Sequence, residues 1–268
     1  MMIVSLFCPK CAFEVSKSLV DYAEIDVPSP VASLSDNGEY EVVCDRGHKS
    51  FVVLNNLKFE LLFEMGLNAL VDGYGREAVS SFAAAIERFY EFHWRVTMAH
   101  FSVPEETVTA AWKILSRQSE RQLGAYISGT LSLIKEPPQL LNPNKEIEFR
   151  NNVIHKGYVP TVKEATEFGD SVMDIILGEL AKLREIAPDA LEKVYSALLP
   201  KGREENQEDE IIGRINILTA ISVINPPKTG DTREGNVSDQ FTRILRDREP
   251  HRMALLSAEE LKRRTGKG

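Results

Sequence analysis

The cysteines constrain this chain more than any other feature: all three lie in the first 44 of its 268 residues, as Cys8-Pro-Lys-Cys11 and Cys44-Asp-Arg-Gly-His48. An odd number of cysteines argues against a disulfide framework. Cys-x2-Cys followed by Cys-x3-His instead supplies three thiolates and one imidazole, a full tetrahedral set for zinc. Four protein ligands leave no open position for water, so the expected metal is structural, one zinc per chain, held by Cys8, Cys11, Cys44 and His48.

The surrounding residues suit that role. Pro9 stiffens the turn between the first two ligands, and Gly47 can take the positive φ that bends the second turn. Tyr40 to Cys44 and Ser50 to Leu54 read as the arms of a β-hairpin, preceded by a turn at SDNGE, Ser35 to Glu39. Each ligand pair looks like a zinc knuckle, and residues 1–56 resemble a zinc ribbon.

From Asn56 to Leu199 the pattern is helical. Phe59, Leu62, Phe63, Gly66, Ala69 and Leu70 recur at three and four and end at Gly73 and Gly75. Ala78, Phe82, Ala85, Phe89, Phe92 and Val96 form a second stripe. Ser102, Pro104 and Glu105 suggest a third start, leading into two helical pieces that end near Leu133. EPPQLLNPN is a loop because of its prolines. Asn142 with Pro143 predicts a helix through Arg150 and His155 to a stop at Gly157. Thr161-Val-Lys-Glu164 is a capping box for a helix reaching about Ala187, and Pro188 opens a last short one. Amphipathic helices with short connections imply a mainly α fold, a bundle over 57–200 behind a small β module.

Residues 201–268 read as a charged linker and C-terminal extension. Ile211 to Ile224 is an apolar run open to strand or buried helix, NPPKTGDTREGNVSD is loop, and Ser257 to Glu260 is a helix cap. From Phe241 onward, eight basic residues face four acidic ones. The whole chain is acidic, with net charge −8, which excludes a protein that coats nucleic acid unselectively. With 43% apolar and 27% charged residues the chain is not a disordered one. No long apolar run and no signal peptide are visible, so the expected location is the cytoplasm, with no membrane contact.

The remaining chemistry lies in FRNNVIHKG, Phe149 to Gly157. Arg-x4-His spacing alone says little, because Arg88 with His93, Arg95 with His100 and Arg246 with His251 repeat it. The Arg150 copy differs by its adjacent Asn151, the proline-rich loop before it and the helix stop after it. With RNNVIHKGYVPT and the phrase AIERFYEFHWRV, residues 58–199 resemble the HEPN superfamily (higher eukaryotes and prokaryotes nucleotide-binding). Its ribonuclease members carry an Arg-x4-6-His motif.

The resemblance implies a metal-independent endoribonuclease of toxin or phage-defence type, acting as a homodimer on RNA. His155 would serve as general acid or base at the ribose, and Arg150 would neutralise phosphate oxygens in the transition state. Asn151 would position the phosphate or orient the histidine. The products would be a 2′,3′-cyclic phosphate and a 5′-hydroxyl. Lys156 adds charge nearby or serves the helix dipole. On a helix Asn151 and His155 share a face, whereas Arg150 and His155 diverge by about 140°. Either a flexible arginine reaches around the helix, or the site is completed across a second subunit; the resemblance implies the second, a dimer cleft to which both copies contribute. The competing reading is a non-catalytic interaction protein binding nucleic acid or a partner protein, with Arg150 paired to Glu87 or Glu148. The ribbon and the basic tail are the candidate surfaces for such a protein partner.

Overall fold

The computed structural model describes residues 2–17, 30–203, 212–246 and 248. Its elements run β1 (Ile3–Ser5), α1 (Pro9–Lys17), β2 (Val31–Ser33), β3 (Glu39–Val43), β4 (Lys49–Leu54), α2 (Lys58–Val71), α3 (Gly75–His100), α4 (Glu105–Leu115), α5 (Ser119–Ile134), a π-helical turn (Pro143–Ile147), α6 (Glu148–His155), α7 (Val162–Ile186), α8 (Pro188–Leu198) and β5 (Ile212–Ile215). The protein is therefore mainly helical, a bundle preceded by a small β region, as expected. Its chain divides into two compact units, one holding 1–56, 199–218 and 245–268, the other 57–198 and 219–244. The stretch after Pro200 is thus shared between them.

In the first unit, β3 and β4 form the expected hairpin, with Tyr40 opposite Val52. The turn before it bends at Gly38, whose φ is +68°. The apolar run after the linker resolves here: Ile212–Ile215 adds β5 parallel to β4, Phe51 facing Ile212. This makes β4 the central strand, and its continuous burial from Ser50 to Leu54 follows from that place. Helix α1 packs against β4. Its approach depends on Gly213 of β5, where a Cβ would run into the Pro9 ring. A separate two-stranded sheet pairs β1 with β2.

The second unit is built around α3, which packs against α2, α5, α6, α7 and α8. A helix so surrounded buries residues on most of its faces, which is why Phe82, Phe89 and Phe92 are enclosed together with His93 and Arg95. Phe82 fits only because its neighbours are glycines. A Cβ on Gly66 of α2 would lie 2.5 Å from its ring, and one on Gly169 of α7 would lie 2.8 Å away.

Several boundaries differ from the sequence reading. Gly75 opens α3 and does not end α2; Gly73, at φ +80°, is the stop. Ser102 does not cap α4. It sits at φ +56° in the turn that ends α3, its N–H bonding Ala99, and α4 begins after Pro104. Asn142 does accept a bond from the Asn144 N–H, at 2.9 Å, but the turn it caps is π-helical before α6 begins at Glu148. The Thr161–Glu164 capping box of α7 and the Gly157 stop, at φ +74°, are formed as expected.

Residues 219–244 belong to the second unit as a strap that is irregular as far as Asp239 and helical from Gln240, held by buried charges. Glu60 accepts from the Val223 N–H at 2.6 Å, and Glu64 accepts from the Ala220 N–H at 3.1 Å and the Arg243 guanidinium at 2.7 Å. Arg184 donates to the Ser222 and Val223 carbonyls. The cap expected at Ser257 and the motif ending at His251 lie outside the described residues. No helix among the described residues is long and apolar enough to cross a membrane.

Candidate functional site

Cys8, Cys11, Cys44 and His48 converge, their ligand atoms all within 4.8 Å of one another. Cys8 stands just ahead of α1, where its carbonyl accepts from the Ala12 N–H at 3.0 Å, and Cys11 lies in the first turn of that helix. The first ligand pair is thus wound onto a helix start and is no free knuckle; the partial positive charge of that end favours thiolates. Cys44 and His48 flank the β3–β4 turn. There the Cys44 N–H bonds the His48 carbonyl at 3.1 Å and Gly47 takes φ +79°.

The distances suit one ion. Sulfurs bound at 2.3 Å in a tetrahedron stand about 3.8 Å apart, and Cys11 Sγ and Cys44 Sγ are 3.8 Å apart. His48 presents Nδ1, 3.9 Å from Cys8 Sγ and 3.2 Å from Cys11 Sγ. Its Nε2 faces the Glu14 carboxylate at 3.9 Å, the kind of outer partner that orients a metal-binding imidazole. The three cysteines are buried. Burial and the two neighbouring sulfurs push the Cys11 thiol up to about 12, whereas at Cys44 burial is outweighed by backbone hydrogen bonds from His48 and Arg46, which hold its thiol below the ordinary value. A buried Cys3His cluster able to hold a metal ion is therefore present.

The second site lies on α6. Arg150 Nη2 bonds Glu87 Oε1 of α3 at 2.8 Å, and Nη1 bonds Asn151 Oδ1 at 3.1 Å. The pair is partly open to solvent, at 25% and 29% exposure. Of the two carboxylates weighed for Arg150, Glu87 is the one it meets. Arg150 and Asn151 belong to the wall of a pocket of about 330 Å³, with Leu123, Leu140, Ile147 and Phe168 as its apolar lining. His155 is exposed at the end of the same helix and is not part of that wall. Within one chain Arg150 and Asn151 come together at the pocket, and His155, four residues after Asn151 on α6, is not part of that wall.

The copies of the spacing on α3 have structural partners. Arg88 bonds Glu91 at 2.7 Å and Gln122 at 2.8 Å; Arg95 bonds Glu91 at 3.0 Å and Glu105 at 3.1 Å. His93 is fully buried, its Nε2 3.5 Å from Glu179 of α7 and its ring 5.0 Å from Tyr126 of α5. The sequence reading did not single out Tyr90 and Glu120, which also line the pocket. Tyr90 lies within the phrase that carried the family resemblance; nothing in its neighbourhood signals Glu120. In comparisons with known proteins, no family model, no curated protein and no solved structure matches this chain.

Proposed function

We propose that the protein is a metal-independent endoribonuclease that works as a homodimer, with Arg150, Asn151 and His155 as its reactive residues and a structural zinc in the Cys3His cluster. The observation that carries this reading is α6. It sets a guanidinium, steadied by Glu87 and Asn151, on the wall of a pocket, and it leaves an imidazole exposed one and a half turns further on. A steadied planar fork suits phosphate oxygens, and an exposed histidine suits proton transfer near neutral pH.

In the proposed reaction His155 withdraws the 2′-hydroxyl proton, or returns one to the leaving 5′-oxygen. The 2′-oxygen attacks the phosphorus, the 5′-oxygen leaves, and a 2′,3′-cyclic phosphate remains. Arg150 offsets the charge on the non-bridging oxygens. Because His155 is not part of the pocket wall that holds Arg150 in one chain, a second copy supplies the histidine. No step involves the zinc, whose four ligands come from the protein; it holds the first unit together. A role in toxin or phage-defence systems accords with the resemblance.

The test is cleavage of labelled RNA in EDTA by the intact chain, by His155→Ala and by Arg150→Ala. Loss of roughly a hundredfold or more in each variant is the expected result, with cyclic-phosphate ends on the products. The ion pair between Arg150 and Glu87 favours a second reading, in which the arginine is structural and the protein only binds. No cleavage by pure wild type would establish that one. For the metal, native mass spectrometry is expected to find about one zinc per chain, and a Cys44→Ser chain that kept it would remove the assignment.

A further inference from the structure

The pocket beside Arg150 has a composition that the catalytic reading does not use. Its lining is apolar, with the buried Phe168 among Leu123, Leu140 and Ile147, and its two other notable polar groups are Tyr90 and Glu120. We propose that this pocket receives the base next to the scissile phosphate, and that it selects guanine. The proposal rests on the ribonuclease reading given above.

Charge decides what fits. Arg150 has Glu87 as its carboxylate partner, at 2.8 Å, with the pair still partly open to solvent at the pocket wall. Glu120, in the first turn of α5, has no cationic partner among the described residues; its neighbour Ser119 stands at 3.4 Å. The pocket therefore combines an apolar interior with an unmatched carboxylate, which repels an anionic occupant and accepts hydrogen bonds. A neutral, flat, aromatic ring with donors on its edge is the matching ligand. An RNA base next to a phosphate at Arg150 is that ligand, because its faces bury against apolar side chains and its edge remains to be read.

Among the four bases the edge chemistry selects one. Guanine presents two adjacent donors, N1–H and the N2 amino group, to a carboxylate, with the O6 acceptor beside them. Adenine and cytosine set a ring-nitrogen lone pair next to their single amino group. Uracil flanks its one N–H with two carbonyls. Each of these three points a lone pair at Glu120, and guanine alone does not. Tyr90 supplies the complementary donor for O6. Burial, with the Glu87 charge second, raises the pKa of its phenol, so the hydroxyl keeps its proton. The ring of Tyr90 is itself set by stacking on Tyr126, with centroids 4.3 Å apart.

The experiment maps cleavage on an RNA of mixed sequence by the full chain and by Glu120→Gln, a change at an exposed position that leaves the fold in place. Cuts next to guanine are expected to exceed those next to any other base by about tenfold or more, and the ratio to fall to within about twofold in Glu120→Gln. Cleavage with no base preference, or a guanine preference that Glu120→Gln leaves unchanged, overturns the proposal and leaves the ribonuclease reading standing. Binding of GMP and AMP to the same chains by calorimetry separates the two ideas if no RNA is cut. A GMP preference that disappears in Glu120→Gln then supports the pocket without the enzyme, and equal binding of both nucleotides overturns it.

Discussion

Arg150 and His93 occupy the same five-residue spacing and meet opposite fates. Arg150 lies on a short helix at a pocket wall, where solvent reaches its partner Glu87. His93 is enclosed by α3, α5 and α7, against Tyr126 and Glu179, and both of its ring nitrogens lack a hydrogen-bond partner there. Glu179 is the charged member of that cluster. Burial pushes its carboxyl up, but the approach of the His93 ring and the hydrogen bond from Lys182 outweigh this and hold it below the ordinary value of 4.5. A carboxyl whose folded value is depressed stabilises the fold above its unfolded value, and loses that contribution as the pH falls through the folded one. Stability measured by urea unfolding is therefore expected to decline as the pH drops below about 4.5, and less so in Glu179→Gln. An equal decline in that variant would place the acid sensitivity elsewhere. Spacing in the sequence could not separate these two positions. Context separated them in part, since a histidine inside an aromatic-rich helix reads as core. The partner across the core, 86 residues away in Glu179, carries no local signal.

At the scale of elements, apolar periodicity and caps made most helices legible, because both are local: the stripes of α2 and α3, the α7 box and the stop at Gly157 all depend on neighbours within a few residues. The parallel pairing of β5 with β4 was not legible, since it joins residues more than 150 positions apart and its pattern suits strand and helix alike. Nor was the reason for glycine at 66 and 169. Periodicity put Gly66 on the buried stripe, yet only the packed helices show Phe82 filling the space that two absent side chains leave. Alanine at either position improves helix propensity by about 1 kcal/mol but forces the ring to move, and overpacking costs about 1–3 kcal/mol. The penalty prevails because the ring is confined from both sides. Gly66→Ala and Gly169→Ala are each expected to lower stability by about 1–2 kcal/mol, measured by denaturant midpoint at unchanged slope. A paired Phe82→Leu change is expected to recover part of that loss, since it removes the ring the new methyl would strike. A neutral or stabilising glycine variant would mean that Phe82 has room to shift.

For the whole molecule, the argument turns on how many copies make a site. One chain sets Arg150 and Asn151 at a pocket and leaves His155 outside its wall, about 140° around the helix by simple geometry. If catalysis requires both, the arginine and histidine that meet belong to different chains, and a two-fold dimer forms two such pairs. Arg150→Ala removes the arginine from both pairs, and His155→Ala removes the histidine from both, so each homodimer is inactive. When the two variants are mixed and allowed to exchange subunits, about half of the dimers are mixed, and in each of these one pair is whole and the other lacks both residues. Recovery of roughly a quarter of wild-type cleavage is the expected outcome, with light scattering showing dimers throughout. Monomers in light scattering, or dimers with no recovery after verified exchange, would refute the shared cleft. The same mixture made with the doubly substituted chain and wild type is expected to fall to roughly a quarter of wild-type cleavage, below the roughly one half that chains acting alone would keep, because that heterodimer contains no pair that is complete across the two chains. This last comparison separates a site shared between copies from one in which each chain acts alone.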